Sequence, residues 1–211
     1  MSRARSRAAL ALACALAFLG ACGGDDATEV TPSTTAPPSA PATTDSTPDR
    51  QFSLDDDGAL IALDNRYTIT VAEGWDTYPA ELIPEELNNS LVHLDSVAES
   101  GSNSVGLISG WVVAPSDRDV SNFALWRANA EPVLVSAGGV TEEATTVTID
   151  GRSTPGLQVE FENDDGSRHK QVLYPIFLDG GNLEFAFQAP SEDFDELLPD
   201  VIAMLESVTL R

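Results

Sequence analysis

The sequence predicts an α+β domain in which helices flank an antiparallel β-sheet. Residues 145–188 alternate between apolar and polar types and are interrupted by short turn signals, the pattern of consecutive strands joined as hairpins. Apolar residues at helical spacing follow a group of strands twice, at 120–134 and at 194–205. Strands followed by a helix, with hairpin-length loops, favour a layered antiparallel domain over a parallel nucleotide-binding sheet.

The first strands are predicted around a glycine–tryptophan turn. Residues 67–71 alternate as a half-buried strand does, and Gly74-Trp75 ends that strand. Residues 89–97 and 105–113 are predicted as two further strands, because both are apolar-rich and a turn-rich segment joins them.

A helix is predicted after these strands. Residues 116–119 form a capping box, and apolar residues at helical spacing follow it as far as 134. Gly138-Gly139 is expected to end the helix. Pro132 is expected to bend the helix or to end it early, because proline lacks the backbone N–H that a helix interior requires.

The next four strands are predicted as an antiparallel meander, at 145–150, 157–162, 168–178 and 183–188. Asp150-Gly151 is a hairpin signal of two residues, and residues 163–166 form a second turn. A final helix is predicted with Ser191 as its cap and one apolar stripe facing a sheet. Pro199 is expected to restart this helix, since proline is favoured in a first turn.

The first residues have the features of an export signal. Three arginines precede an apolar run at 8–18, which is too short for a membrane span of about 20 residues. Residues 19–22 read Leu-Gly-Ala-Cys and resemble the lipobox of bacterial lipoproteins, in which the cysteine receives diacylglycerol. We therefore expect a signal peptide at 1–21 and lipid attachment, including palmitate, at Cys22. The alternative is an ordinary signal peptide that is cut near Ala21.

Residues 22–58 are predicted as the lipidated cysteine and a disordered tether. They are rich in Thr, Pro, Ser and Asp and poor in large apolar residues, so they cannot bury enough surface to offset the entropy of ordering. Residues 59–211 are predicted as one globular domain. With Cys14 in the leader and Cys22 acylated, this domain would hold neither a disulfide nor a cysteine metal ligand.

The charge balance excludes several functions. The chain has 11 Lys and Arg against 34 Asp and Glu, with a net charge of −23, whereas nucleic-acid binding needs basic residues to neutralise phosphates. The single lysine, Lys170, is not part of a phosphate-binding loop. No cofactor and no metal site are predicted, because two histidines and no paired cysteines leave few ligands.

The chain resembles a known family in its order of elements and in one motif. An early strand runs into Ala72-Glu73-Gly74-Trp75, which is similar to the proline-x-glycine-tryptophan turn of actinobacterial LpqN/LpqT-type lipoproteins, with Ala72 instead of proline. The domain of those proteins is similar to the PsbP extrinsic proteins of photosystem II. The resemblance covers about residues 60–211. It implies an α/β/α sandwich in envelope proteins that mostly have no assigned reaction.

One basic cluster is a candidate ligand contact for an anion or a headgroup. Its members are Arg152, Arg168, His169 and Lys170. The alternative is cross-strand charge pairing with Glu160 and Glu162, a common way to stabilise a sheet. The hairpin register decides which of these groups share a face, because a loop of four or five residues gives opposite answers.

The other candidates favour structural roles. No nucleophile motif is present, and His93 is expected on a strand face, so no catalytic residue is predicted. The loops 55–58 and 163–166 lack the alternating oxygen ligands of a calcium site, and solvated turns are expected there. Three tryptophans, at 75, 111 and 126, could line an apolar pocket, although aromatic residues are more often core.

These observations predict a non-enzymatic lipoprotein on the extracytoplasmic face of the cell membrane, which acts as a binding, accessory or scaffold module. Its partners would be the membrane through Cys22, and a protein or an apolar small molecule of the envelope. An alternative is a carrier of an apolar ligand such as a lipid, and a third possibility is an envelope hydrolase. A scaffold should present an exposed apolar patch, whereas a carrier should enclose an apolar pocket.

Overall fold

The computed structural model describes residues 53–54, 60–62, 66–76, 92–99, 105–113, 121–163 and 165–211. The expected leader, most of the expected tether, the loop 55–58 and the capping box at 116–119 lie outside the described residues. In chain order the elements are β1 (Ser53–Leu54), β2 (Leu60–Ala62), β3 (Tyr67–Ile69), β4 (Val92–Glu99), β5 (Gly106–Val113), α1 (Phe123–Ser136), β6 (Val140–Ile149), β7 (Arg152–Glu162), β8 (Arg168–Leu178), β9 (Gly181–Pro190), α2 (Ser191–Glu206) and β10 (Thr209–Leu210).

A six-stranded antiparallel sheet forms the centre of the described fold, in the order β4-β5-β9-β8-β7-β6. The adjacent strands β6 to β9 confirm the predicted meander. Asp150 and Gly151 form the predicted tight turn, with φ angles of 49° and 71°. β5 pairs along the other side of β9, with Gly110 opposite Glu184. The strands predicted at 89–97 and 105–113, which correspond to β4 and β5, therefore extend the sheet of the meander.

A small antiparallel sheet has the order β1-β2-β3-β10. β10 follows the last helix and pairs with β3, with Thr209 opposite Thr68. Tyr67 of β3 is fully buried, and its ring lies 5.1 Å from that of Phe185 in β9. β3 of this small sheet therefore packs against the main sheet. Its first strand, β1, lies within residues 22–58, the segment predicted as a tether.

The two helices in the described part of the chain lie on opposite faces of the main sheet. Side chains of successive strand residues point to opposite faces. Phe187 of β9 belongs to the core cluster of α2 and stacks on Phe194 at 5.1 Å, whereas the preceding Ala186 belongs to the cluster of α1 with Trp126. The fold is thus α+β with one helix on each face, as predicted. We call these faces the α1 face and the α2 face.

α1 begins later than the sequence predicts and is not ended by its proline. Residues 121 and 122 form a bend, and the Asn122 side chain caps the helix by accepting a hydrogen bond from the Leu125 backbone N–H at 3.1 Å. Pro132 lies inside a helix that runs on to Ser136. The predicted stop is confirmed, because Gly138 has a φ of 91°, which an L side chain rarely adopts.

α2 also differs from its predicted start. Ser191 is the first helical residue rather than the cap, and its hydroxyl donates to Glu160 of β7 at 2.8 Å. Pro190 occupies the cap position without a side-chain hydrogen bond. The helix does not restart at Pro199 but runs without interruption to Glu206. The Ser191 hydroxyl thus binds the carboxylate of Glu160 instead of capping the helix.

Candidate functional site

The hairpin between β7 and β8 sets the position of the basic cluster. Glu162 lies opposite Arg168 and Glu160 opposite Lys170, which the sequence left open. Arg168 lies 3.5 Å from Glu162 and 3.7 Å from Glu160, so it takes part in the cross-strand pairing. Lys170 lies 3.3 Å from Asp195 of α2. Two of the four candidate ligand contacts are therefore already next to carboxylates.

The other two candidates lie elsewhere. His169 lies on the α1 face, where its ring stacks on that of Phe161 at 5.2 Å, and burial lowers its pKa. Arg152 begins β7, at the opposite end of an 11-residue strand from Glu162, roughly 30 Å away for an extended chain. The four basic side chains do not converge on one site.

The remaining motifs have structural surroundings. Ser109, the serine of the Gly-Leu-Ile-Ser-Gly segment at 106–110, is buried and accepts a hydrogen bond from the Tyr67 hydroxyl at 2.7 Å. The carboxylate of Asp165 accepts hydrogen bonds from the backbone and the hydroxyl of Ser167, which makes the second loop an ordinary turn. The three tryptophans at 75, 111 and 126 are all buried in the core. His93 lies in β4, opposite Trp111 in the ladder.

The described residues provide neither a metal-binding cluster nor a membrane-spanning helix. No group of three or more His, Cys, Asp or Glu side chains in the described part of the chain is arranged to hold a metal ion. Neither α1 nor α2 has the length and apolar character that crossing a membrane requires.

Glu184 is a buried carboxyl group that the sequence analysis missed. It lies on the α1 face of β9 with no exposed area, and Trp126 of α1 donates its indole N–H to one carboxylate oxygen at 2.8 Å. Burial raises the pKa of Glu184 to about 7, although hydrogen bonds from Trp126 and Asn182 act in the opposite direction. The alternation of β9 indicated this position, but the burial depends on α1 covering that face.

Further buried polar atoms lie on the same face. The second carboxylate oxygen of Glu184, Nε2 of Gln171 and Nδ1 of His169 have no hydrogen-bond partner among the described residues. Unpaired buried polar atoms cost free energy, so these groups lower the stability of the layer between α1 and the sheet. Because the Glu184 side chain is fully enclosed, this carboxyl does not face a substrate that arrives from solvent.

α1 carries apolar residues on its outward side as well as on its buried side. Trp126, Ala130 and Leu134 face the sheet. The opposite side carries Leu125, Ala128, Pro132 and Val135, which we call the α1 outer face. Leu125 is 37% and Val135 53% exposed, and the other two are exposed as well. A helix on the surface of a protein normally turns its apolar residues towards the core, so an exposed apolar stripe of this kind is a candidate surface for binding.

Charged side chains line one flank of the α1 outer face. Arg127 lies 2.9 Å from Glu131, one helical turn further on, and 3.6 Å from Glu143 of β6. Glu131 also accepts a hydrogen bond from Thr141 at 2.6 Å. These contacts lower the pKa of Glu131, mainly through the hydrogen bond from Arg127. The apolar stripe is thus bordered by polar groups that already have partners.

These elements define an α+β sandwich with one helix on each face of an antiparallel sheet. No protein family and no curated protein matches the chain. Among solved structures, it is similar to a Bacteroides thetaiotaomicron protein, with 8% identity and a TM-score of 0.45 over 72% of this chain; this chain spans 48% of that protein.

Two further structures are similar to this chain. The first is the cyanobacterial PsbP protein CyanoP from Synechocystis, with 12% identity and a TM-score of 0.47 over 71% of this chain and 89% of that one. The second is LpqN of Mycobacterium tuberculosis, which is described as involved in cell envelope biogenesis. Its identity is 15% and its TM-score 0.44, over 68% of this chain and 82% of that one.

Proposed function

We propose that this chain is a lipid-anchored accessory protein of the cell envelope, which binds a protein partner through the α1 outer face and catalyses no reaction. The observation that carries the proposal is the exposed apolar stripe on α1, bordered by polar groups. Such a patch is the feature that distinguishes a scaffold from a carrier. The three buried tryptophans belong to the packed core, which leaves the carrier with less support.

The anchor is supported by the sequence of the first residues. A basic segment, an apolar run and Leu-Gly-Ala-Cys at 19–22 precede a segment rich in Thr and Pro. Two acyl chains on one cysteine suffice for stable attachment, whereas a single chain is marginal. The part of the segment 22–58 that precedes β1 would hold the domain away from the bilayer, whose anionic headgroups repel a chain with net charge −23.

Replacement of Cys22 tests the anchor. We expect Cys22→Ser to move the full-length chain from the membrane fraction to the soluble extracytoplasmic fraction and to abolish metabolic labelling by a fatty acid. Cys14→Ser is the matched control, because Cys14 lies within the apolar run, and it should leave both properties unchanged. Retention of the Cys22→Ser chain in the membrane would contradict the anchor.

Photo-crosslinking in intact cells tests the binding surface. A photoreactive residue at Ala128 on the α1 outer face should give a discrete adduct of reproducible mass. The matched control carries the same residue at Asp193, which is exposed on α2. We expect Leu125→Glu to remove the adduct at Ala128, because a charge in an apolar contact must be desolvated. An equal set of adducts from both positions, or none from Ala128, would contradict the proposal.

A further inference from the structure

We propose that the partner on the α1 outer face is a second copy of this chain, packed antiparallel across a two-fold axis. This inference rests on the proposed function, because it names the occupant of the same surface. Its three supports are the distribution of charge, the order of side chains along α1 and the arrangement of the charged flank.

Charge restricts where two copies can meet. The chain has a net charge of −23, so most of its faces repel an identical chain. α2 carries six acidic residues and no basic one. α1 carries one arginine and one glutamate, which pair with each other. Of the two described helices, α1 is therefore the one whose own side chains add no net charge against a second copy.

The side chains of the α1 outer face are complementary to themselves. Leu125 and Val135 are the large residues at its ends, and Ala128 and Pro132 are the small residues between them. Both pairs have their midpoint at residue 130. A two-fold axis at that level places Leu125 of one copy against Val135 of the second copy, and Ala128 against Pro132. Such an isologous contact uses the same patch twice and closes on itself.

The charged flank fits the same axis. In an antiparallel pair with its axis at residue 130, Arg127 lies two residues along the helix from Glu131 of the second copy, an offset of about 3 Å. A two-fold axis of this kind keeps the charged flanks of both copies on the same side of the pair, so each arginine has the glutamate of the second copy near its own level along the axis. The existing Arg127–Glu131 contact of 2.9 Å does not have to break for this arrangement.

The size of the patch indicates a weak pair that needs the membrane. The stripe from Leu125 to Val135 is about 15 Å long. A stable interface covers about 800 Å² on each partner, which is more than one helix face of this length offers. Anchoring both copies in one bilayer raises their effective concentration, so that a weak contact suffices. The pair is thus expected between anchored chains rather than in dilute solution.

Disulfide trapping between full-length anchored chains tests the antiparallel arrangement. Two differently tagged copies, one with Leu125→Cys and the other with Val135→Cys, are expressed together and oxidised in isolated membranes. We expect the mixed dimer to exceed either same-site dimer several-fold. In the proposed pair, positions 125 and 135 face each other, whereas identical positions are offset by about 15 Å, beyond the 7 Å limit for a disulfide.

The controls test whether the variants fold, whether the disulfide is specific to the α1 outer face, and whether the natural cysteines take part. Chains with Glu192→Cys and Glu196→Cys on α2 provide a matched exposed pair that should not link, and chains without added cysteine report any contribution of Cys14 or Cys22. All added cysteines are at exposed positions, and equal amounts in the membrane show that the variants fold. Adding Ala128→Glu to both copies should abolish the mixed dimer.

Each outcome decides the inference. A mixed dimer that exceeds the same-site dimers supports the antiparallel pair. Same-site dimers alone, or no dimer above the α2 control, overturn it. If the photoreactive residue at Ala128 still gives a discrete adduct with another protein while the mixed dimer is absent, the proposed function stands and only the second copy is excluded. If both tests give nothing, both proposals fail.

Discussion

Glu184 shows what the layer between α1 and the sheet does to a carboxyl group. Its side chain is fully buried, and loss of water raises its pKa from 4.5 to about 7. Its neighbours in the ladder, Gly110 and Pro175, provide no side-chain donor. Hydrogen bonds from Trp126 and Asn182 only partly replace the lost hydration. Ionisation of this group therefore opposes folding.

The pKa of Glu184 predicts a pH dependence of stability. Because the folded pKa is raised, the folded chain holds this proton at pH values where the unfolded chain has lost it. The stability that protonated Glu184 contributes to the folded chain is complete below pH 4.5 and is lost as the pH rises through about 7. A pKa shift of this size corresponds to about 3 kcal/mol. Urea unfolding of wild type and Glu184→Gln, from acidic to mildly alkaline pH, measures this difference.

The matched control is Glu196→Gln, an exposed carboxyl group on α2. We expect it to keep the wild-type pH dependence, whereas Glu184→Gln should become more stable than wild type as the pH approaches neutrality. The glutamine amide oxygen can still accept the indole N–H of Trp126, so the variant tests the charge rather than the contact. Parallel pH profiles for wild type and Glu184→Gln would exclude this role of Glu184.

Individual residues were predictable from the sequence where their partners are local. The pairing of Arg168 with Glu160 and Glu162 was one of two alternatives, and the hairpin register decides between them. Glu184 was not predictable, because its burial depends on Trp126, which lies 58 positions away. Strand alternation marks the face of a residue but does not tell whether a helix covers that face.

At the scale of elements, the sequence predicts the turns and the strand order better than the boundaries of the helices. The Asp150-Gly151 turn and the order of β6 to β9 agree with the sequence, because positive φ angles and strand alternation are local properties. The predicted start of α2 was wrong, because Ser191 donates its hydroxyl to Glu160 rather than capping the helix. Only the folded sheet brings Glu160 near Ser191. Burial of α2 against the sheet also outweighs the cost of Pro199, so the helix continues.

Pro199 therefore predicts a stabilising substitution. In the interior of α2 its ring removes one backbone hydrogen bond and crowds the carbonyl one turn earlier, at Asp195. We expect Pro199→Ala to raise the free energy of unfolding by about 2 kcal/mol. Alanine is the more favourable residue inside a helix, but it also gives the unfolded chain more conformational freedom, which offsets part of the gain. Pro199 is exposed, so the change creates no buried cavity. Urea unfolding at constant pH measures it.

Pro190→Ala is the control for this substitution. Pro190 occupies the cap position of α2, where a proline interrupts no hydrogen bond within the helix. Its replacement should leave stability unchanged or slightly reduced. Equal effects of the two substitutions would show that the proline ring in the interior of α2 carries no cost.

At the scale of the whole molecule, acidic charge is spread unevenly over the two helical layers. The net charge of −23 makes the chain repel itself within one molecule and between molecules. Three basic residues of the described domain, Arg127, Arg168 and Lys170, lie next to carboxylates. These pairs are partly exposed, and such surface pairs contribute little to stability. General repulsion should therefore outweigh the individual attractions.

Salt should consequently stabilise both the folded chain and its self-association. Raising the ionic strength from about 0.01 M to about 0.15 M shortens the Debye length from roughly 30 Å to 8 Å, which screens repulsion between distant carboxylates. We expect the free energy of unfolding to rise, and the yield of the mixed disulfide dimer between Leu125→Cys and Val135→Cys to rise with it. The same series with choline chloride in place of sodium chloride separates screening from specific cation binding. A loss of stability with added salt would mean that contacts such as Arg127–Glu131 outweigh the repulsion, and would remove the charge argument for pairing through α1.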